Sequence, residues 1–215
     1  MSPSVISAFN GRCTACPRLA RYLATVRRDY PDYYARPVAP FGDPLARFLI
    51  VGLAPGLHGA NRTGRPFTGD HAGMLLYRTL HKHGFASRPE SVAADDRLRL
   101  KNCRITNAVK CVPPQNKPFP GEIKRCNVYL QAELSHLSKS SVVLALGRIA
   151  HQAVLQALEL RPAAFPFTHG AQHQLPSGAR LLDSYHCSRY NTQTGRLTTP
   201  MFGAVVRQAA KLLNR

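Results

Sequence analysis

The sequence predicts an α/β fold, with a central four-stranded parallel sheet between two layers of helices. Two observations predict it. Four short apolar segments recur at wide intervals along the 215 residues, and segments with helical spacing of apolar residues separate them. The apolar segments are continuous rather than alternating, as is typical of strands buried on both faces. Regular alternation of strand and helix favours parallel pairing in a three-layer α/β/α arrangement.

The first 46 residues precede the first predicted strand. They contain the Cys13-x-x-Cys16 pair and the proline-rich stretch DYPDYYARPVAPFGDP. Proline fixes one backbone dihedral and lacks an N–H donor, so it interrupts regular elements. Residues 1–46 are therefore expected to follow an irregular path over the surface of a core that begins later. The whole chain, residues 1–215, is expected to be one domain, since its length suits a single core.

The predicted strands are ARFLIVGLA (46–54), CRITNAV (103–109), SVVLALG (141–147) and ARLLDSY (179–185). The predicted helices are 73–85, 122–137, 148–158 and 200–213. The first of these helices ends at Gly84 and places Leu76 and Leu80 on one stripe. In parallel sheets, ligands bind outside the carboxyl ends of the strands. The segments that follow the four strands are therefore where functional residues are expected.

The charge balance points to an anionic partner. Lys and Arg total 29 against 11 Asp and Glu, a net charge of +18. Such an excess repels itself, and many cations are favoured where phosphates are neutralised with release of counterions. A generally Arg-rich proteome is the alternative, but a nucleic-acid surface on the folded domain is favoured. No apolar run approaches the roughly 20 residues that span a bilayer, and no signal peptide is recognised, so a cytoplasmic location is expected.

Four of the six cysteines are grouped in two pairs. Cys13 and Cys16 form one pair, and Cys111 and Cys126 form a wider one. Four thiolates in this arrangement can hold zinc or an iron–sulfur cluster, and the residues alone leave both open. Cys103 and Cys187 are left over.

The segment after the first strand is rich in glycine. Residues 52–73 contain six glycines, which allow a backbone to approach a ligand closely. Phe67 suits a stacking platform for a flat base, although an ordinary core anchor is the simpler interpretation. Asp70 can be a plain helix N-cap, yet a carboxylate between glycines and near Arg62 and Arg65 also suits catalysis. The spacing matches neither dinucleotide-binding nor nucleoside-triphosphate motifs.

The second and fourth strands are followed by further polar candidates. Asn107 carries an amide that can read a pyrimidine edge, although such a residue is more often part of a turn. His186 can donate to an oxygen that gains negative charge. The next residues offer a phosphate-binding hydroxyl, two side chains that can enter a duplex, and a further phosphate-binding cation: Ser188, Arg189, Tyr190 and Arg196.

The order of these motifs resembles the iron–sulfur branch of the uracil-DNA glycosylase superfamily, and within it the fifth family, the type-b enzymes. The motifs are GLAPG, GRPFTGD, TNAVKC(x14)C and H-x-S-x-x-N-x-x-T-G-R-L, and they extend over roughly residues 10–212. GANRTGRPFTGD and NTQTGRLT are the most specific. The neighbouring fourth family carries a Glu where this chain has Leu53. The type-b family is similar in lacking that group, and there the Asp of T-G-D, Asp70 here, is the proposed substitute.

The resemblance implies a fold, a cofactor and an activity. It implies a glycosylase-like four-stranded parallel sheet, a structural [4Fe–4S] cluster on Cys13, Cys16, Cys111 and Cys126, and hydrolysis of the N-glycosidic bond of uracil in DNA during base-excision repair. Catalysis falls to Asp70, Asn107 and His186. Substrate binding falls to Gly52, Ala54, Gly56, Phe67, Asn107 and His186, and DNA binding to Arg62, Arg65, Ser188, Arg189, Tyr190 and Arg196.

Several expectations accompany this interpretation. The missing first-motif polar group predicts a broader pocket that also accepts hypoxanthine and xanthine. The partner is expected to be double- or single-stranded DNA, the protein a monomer, and its location nucleoid-associated. The family usually reads H-P-S, whereas this chain reads His186-Cys187-Ser188, which frees that loop; Cys187 itself is expected to be a small core residue. The alternatives are a non-catalytic iron–sulfur nucleic-acid-binding protein, a zinc protein and an electron-transfer protein.

Overall fold

The computed structural model describes residues 9–214 of the chain. The α-helices are α1 (Pro17–Asp29), α2 (Ala60–Thr63), α3 (His71–Lys82), α4 (Pro120–Leu134), α5 (Arg148–Ala157), α6 (Arg189–Gln193) and α7 (Thr199–Leu213). The strands are β1 (Phe41–Gly42), β2 (Phe48–Gly52), β3 (Cys103–Asn107), β4 (Val142–Leu146), β5 (Gln172–Gln174) and β6 (Arg180–Ser184).

The six strands form one sheet in the order β1-β3-β2-β4-β6-β5. The four inner strands pair in parallel, and the two edge strands β1 and β5 pair antiparallel to their neighbours. The predicted four-stranded parallel sheet is confirmed, and each of its strands lies within the segment predicted for it. The edge strands were not predicted because β1 has two residues and β5 reads QHQ, so neither shows an apolar run.

Side chains that alternate along each strand contribute to two cores. In β2, Phe48 and Ile50 pack with residues of α3 and α7, whereas Leu49 and Val51 pack with residues of α4 and α5. Both faces of the sheet are therefore covered by helices, and the predicted three-layer arrangement is confirmed. Continuous apolar strands are needed for this, since every side chain of β2 and β4 is buried.

The prediction of an irregular path for residues 1–46 is wrong for α1. Pro17 occupies the first turn of this helix, where a missing N–H costs nothing. Leu19, Leu23 and Val26 then recur on one buried face, and Leu19 and Leu23 pack in one cluster with Val109 and Val112. The segment after α1, which carries most of the prolines, does follow an irregular path to β1. Residues 1–8 of the predicted segment lie outside the described part of the chain.

The topology brings the loops after β2, β3 and β6 to one edge. From β2 the chain moves to β3 on one side, and it then crosses back to β4 on the other side of β2. The switch point of the sheet therefore lies between β2 and β4. Ligands bind at such a switch point in open α/β sheets. No helix among the described residues has the length and apolar character that crossing a bilayer requires.

Candidate active site

A cavity of about 910 Å³ opens at the carboxyl ends of the strands. Its volume lies near the upper end of the roughly 300–1,000 Å³ that is usual for small-molecule sites. Four residues singled out in the sequence line it together, although they are up to 119 positions apart: Phe67, Asp70, Asn107 and His186. Ala54, Gly56, Ser188 and Arg189 also line it.

Phe67 forms a wall of the cavity and is held rigidly. Its backbone has a positive φ of 54°, and its side chain is 6% exposed and packs with the core beneath. The Tyr77 hydroxyl donates to the carbonyl of neighbouring Pro66 at 2.8 Å, which fixes the turn. Gly52 lies directly behind Phe67, and a Cβ at Gly52 would lie 2.6 Å from the Phe67 ring. Phe67 is therefore a core anchor, as the simpler interpretation predicted, and it also lines the cavity.

Asp70 caps α3 and keeps one oxygen free of that cap. Its Oδ1 accepts from the Gly73 N–H at 2.8 Å, as the N-cap interpretation predicted. The second oxygen, Oδ2, faces the glycine segment, where a Cβ at Gly59 would lie only 2.5 Å away. Burial raises the pKa of Asp70 above its ordinary value, while the backbone N–H groups of Gly73 and Ala72 oppose that effect.

Asn107 ends β3 with an unsatisfied acceptor. The residue is 3% exposed, and its Oδ1 is buried with no hydrogen-bond partner within the described residues. A buried carbonyl oxygen without a donor costs free energy unless a ligand supplies one. The backbone carbonyl of Asn107 accepts from the Lys110 Nζ at 2.8 Å, which fixes the strand end. The end of the strand is therefore fixed, and the unsatisfied amide oxygen lies next to Gly52, where a Cβ would meet it.

His186 lies beside Phe67 in the wall of the cavity. The two ring centroids lie 6.0 Å apart at an interplanar angle of 32°. Burial disfavours the charged imidazolium and lowers the pKa of His186 to about 4. The imidazole is therefore neutral at pH 7 and offers one N–H donor. Its backbone carbonyl accepts from the Asn191 side chain at 2.8 Å, which anchors the loop.

The assignment of Arg65 to DNA binding is wrong. The guanidinium is 5% exposed and lies inside a network with the 91–96 segment. It bonds to the carboxylate of Asp96 at 2.6 Å and to the Ser91 hydroxyl at 2.9 Å, and it also contacts the Ala93 carbonyl. Its side chain thus joins the Phe67 turn to a loop that forms part of the cavity wall. From the sequence alone, a buried arginine in a basic, glycine-rich segment looks the same as an exposed one.

The remaining DNA-binding candidates lie at the surface or at the mouth of the cavity. Arg62 is exposed and donates to the His58 carbonyl at 2.8 Å, and Tyr190 is 70% exposed. Arg196 lies over the Tyr185 ring, 4.6 Å from its centroid, beside a cavity of about 270 Å³ that shares His186. Ser188 caps α6.

Several residues that line the cavity carry no signal of it in the sequence. His58 and Met74 line the cavity. Their segments show only clustered glycines and helical spacing of apolar residues in the sequence. Ser91 and Val92 come from a loop without any motif. His71 Nε2 bonds to Thr192 Oγ1 at 2.9 Å and thereby braces α3 against α6, a contact over 121 positions that no local pattern indicates.

The four paired cysteines line a second, smaller cavity of about 70 Å³. Cys16 precedes α1, Cys111 follows β3 and Cys126 lies in α4. All four thiols are free of disulfides. The Lys110 backbone N–H donates to the Cys126 sulfur at 3.3 Å, so this cavity and Asn107 are connected by one short segment. Cys187 is fully buried in the main core, as expected of a small apolar residue.

Comparison with known proteins gives consistent matches. The sequence profile described as "Uracil DNA glycosylase superfamily" matches residues 39–210. A type-5 uracil-DNA glycosylase of Thermus thermophilus is 52% identical over 205 residues, covering 93% of each chain. A type-5 uracil-DNA glycosylase of Pyrobaculum aerophilum is 44% identical over 92% of this chain and 88% of its own. One of Mycobacterium bovis is 43% identical over 96% of this chain and 80% of its own.

Proposed function

The chain belongs to the uracil DNA glycosylase superfamily, and we propose that the 910 Å³ cavity is where it hydrolyses the bond between uracil and deoxyribose in DNA. It is a uracil-DNA glycosylase of DNA repair. The observation that carries the site assignment is the meeting of Phe67, Asp70, Asn107 and His186 in one cavity.

The base is bound by stacking and by its hydrogen-bonding edge. A base inside a duplex must be flipped out to reach a pocket, at a cost of a few kcal/mol. Phe67 offers a flat apolar face. The unsatisfied Asn107 Oδ1 accepts the imide N–H of uracil, while the amide NH₂ donates to the neighbouring carbonyl. This pairing satisfies the buried atom that the protein leaves without a partner.

Two side chains act on the two ends of the breaking bond. As the bond between C1′ and the base nitrogen lengthens, the sugar gains positive charge and the base negative charge. Neutral His186 donates its N–H to the base oxygen, and one such donor is worth about 3–4 kcal/mol in the transition state. Ionised Asp70, through Oδ2, stabilises the sugar cation or orients the water whose oxygen bonds to C1′. The water that bonds to C1′ loses one proton and leaves a hydroxyl on the sugar, and the departing base anion gains one proton, so the step adds water across the broken bond.

The pocket accepts more than uracil. Leu53 and Ala54 supply no polar group at the first-motif position, and both line the cavity. Its volume of about 910 Å³ also leaves room for a purine. Hypoxanthine and xanthine present an imide-like N–H and a carbonyl similar to those of uracil, so Asn107 can pair with them in the same way.

DNA, double- or single-stranded, binds across the mouth of this cavity. The net charge of +18 favours phosphate contacts. Arg62, Arg189 and Arg196 meet the backbone, the Ser188 hydroxyl binds a phosphate, and exposed Tyr190 enters the gap left by the flipped base. The protein acts as one domain and as a monomer. Its cytoplasmic, nucleoid-associated location stays a prediction.

Cys13, Cys16, Cys111 and Cys126 would hold a [4Fe–4S] cluster. A common cavity lined by four free thiols supports this proposal. A single zinc would draw sulfurs to within about 3.8 Å of one another, from Zn–S bonds of about 2.3 Å. Zinc on the same four thiolates is the alternative, and iron analysis separates the two. The cluster supplies structural cross-linking of α1 to the core, and the hydrolysis involves no change of oxidation state.

The test is a single-turnover cleavage assay on duplexes that contain uracil, hypoxanthine or xanthine. Asp70→Asn and His186→Ala should each slow uracil release at least tenfold, which is about 1.4 kcal/mol. Asn107→Ala should weaken binding of the flipped base. If neither Asp70→Asn nor His186→Ala slows cleavage, the residue roles are refuted. If the protein releases uracil but neither hypoxanthine nor xanthine, the broad pocket is refuted, and the assignment as a uracil-DNA glycosylase is not. Iron analysis and the visible absorbance band of fresh protein test the cluster separately.

A further inference from the structure

Three ionisable side chains meet in the interior, apart from the cavity described above. They are His151 of α5, His173 of the edge strand β5, and Asp183 of β6. Their ligand atoms lie within 4.8 Å of one another, and none of the three lines the 910 Å³ cavity. The side chains are 2%, 13% and 0% exposed, respectively.

Asp183 needs a compensating positive charge. A carboxylate taken out of water is costly unless it is paired or coordinates a metal. Within residues 9–214, the side chains in ion-pair range of Asp183 are these two histidines, which carry a charge only when both ring nitrogens are protonated. The aromatic rings of Phe165 and Phe167 pack against the histidine rings, with centroids 5.7 and 5.5 Å apart, so the surroundings are otherwise apolar.

The hydrogen bonds orient His151 as a metal ligand. Its Nε2 lies 2.9 Å from the Phe165 carbonyl, an acceptor, so Nε2 carries the proton. The other nitrogen, Nδ1, then faces Asp183 Oδ1 at 2.7 Å. Metal-bound histidines usually donate their second ring N–H to a carbonyl or carboxylate in this way. At 2.7 Å these two atoms are in hydrogen-bond range, and a cation bound by both would move them apart to about 3.4 Å.

The contact of His173 with Asp183 is also unsatisfied. His173 Nε2 and Asp183 Oδ2 lie 3.4 Å apart, and both are buried atoms without a hydrogen-bond partner among the described residues. Two ligands on one tetrahedral zinc, with Zn–N and Zn–O bonds near 2.0–2.2 Å, lie about 3.4 Å apart. A zinc-class ion would therefore satisfy both atoms without moving them far.

We propose that His151 Nδ1, His173 Nε2 and Asp183 form a structural site for a divalent transition metal, with zinc as the fitting ion. Two imidazoles and one carboxylate suit zinc better than calcium or magnesium, which prefer oxygen ligands. The site joins α5, β5 and β6. Because Asp183 lies three residues before His186 on the same chain segment, the metal stiffens the strand that presents the active-site histidine.

The experiment measures zinc bound to the intact, iron-loaded protein. Wild type, His173→Gln and the control His136→Gln are incubated with Zn²⁺, passed through gel filtration and analysed for zinc and iron. His136 is exposed and lies outside the trio, so it controls for zinc on surface histidines. The four clustered cysteines are present in all three proteins, so zinc bound by thiols cancels in the comparison. Glutamine at 173 keeps the edge strand intact, since that side chain is already partly exposed.

We expect wild type and His136→Gln to retain about one zinc per chain more than His173→Gln. Zinc should raise the melting temperature of the first two proteins and leave that of His173→Gln unchanged, because a ligand stabilises only the folded state that binds it. Equal zinc retention in wild type and His173→Gln would overturn the proposal. It would mean that the hydrogen bond between His151 and Asp183 accommodates the buried carboxylate without a metal.

Discussion

Arg62 and Arg65 lie three residues apart in one glycine-rich segment, yet the structure predicts opposite consequences when each is replaced by methionine. Arg65 is buried and bonds to the Asp96 carboxylate, which is itself 10% exposed, at 2.6 Å. Methionine keeps the length of the side chain but leaves that carboxylate without its cation. Removing one partner of a buried ion pair costs about 3–5 kcal/mol.

For a chain of this size, 1 kcal/mol shifts the melting temperature by about 2–4 °C, so Arg65→Met should lower it by roughly 6–20 °C. Arg62 is exposed, and surface substitutions usually stay within about 0.5 kcal/mol. Arg62→Met should therefore melt within about 2 °C of wild type. Its effect should appear instead in DNA binding, where the slope of log K against log salt falls by about 1.

The acid side of the stability profile checks the ion pair itself. Burial on its own would raise the pKa of Asp96, but the bonds from Arg65 and from the Leu98 and Val92 N–H groups outweigh it and lower that pKa to about 2. A depressed carboxyl pKa adds stability above the unfolded value, near 4, and that stability is lost as the pH falls towards 2. The difference in the free energy of unfolding between wild type and Arg65→Met should therefore decrease as the pH falls from 5 to 2.5.

Melting temperatures are measured by differential scanning fluorimetry for Arg62→Met and Arg65→Met, and also for Asp96→Asn and the double variant Arg65→Met/Asp96→Asn. The last two complete a double-mutant cycle on the ion pair. The double variant should recover part of the loss, because no unpaired carboxylate remains. The reasoning is refuted if Arg65→Met melts within 2 °C of wild type, or if it weakens DNA binding while stability is unchanged.

Three further predictions follow from the same contacts. Gly59→Ala places a Cβ about 2.5 Å from Asp70 Oδ2, so single-turnover cleavage of uracil should fall at least tenfold; unchanged cleavage would mean that Oδ2 has no fixed role. Gly203→Ala in α7 meets no atom within 4 Å and should stabilise the protein by about 0.5–1 kcal/mol, read as a higher melting temperature with normal cleavage. Because burial raises the pKa of Asp70 and His186, with a pKa near 4, is already neutral there, the single-turnover rate should rise with pH at values above the ordinary carboxyl pKa. In Asp70→Asn this rise should disappear. If the rise persists in that variant, it belongs to another group.

Local patterns were sufficient for the parallel core and for most of the cavity. A strand buried on both faces favours a continuous apolar run, and β2 and β4 show that pattern without help from distant residues. The strands β3 and β6 include polar residues, but each lies within a predicted segment. Parallel strands also bring their carboxyl ends to one edge, which is why Phe67, Asn107 and His186 were expected to meet. The edge strands, α1 and α6 were missed because their patterns are short or obscured by proline.

Burial and long-range pairing were decided only by tertiary structure. Arg62 and Arg65 have the same chemistry and similar neighbours in the sequence, and only the packing of the 91–96 segment makes one a surface cation and the other an internal clamp. His151 and Asp183 are separated by 32 positions and meet because α5 packs on the sheet beside β6. A sequence records which groups a chain carries, but the free energy of a charge depends on the water and partners around it, and folding alone sets those.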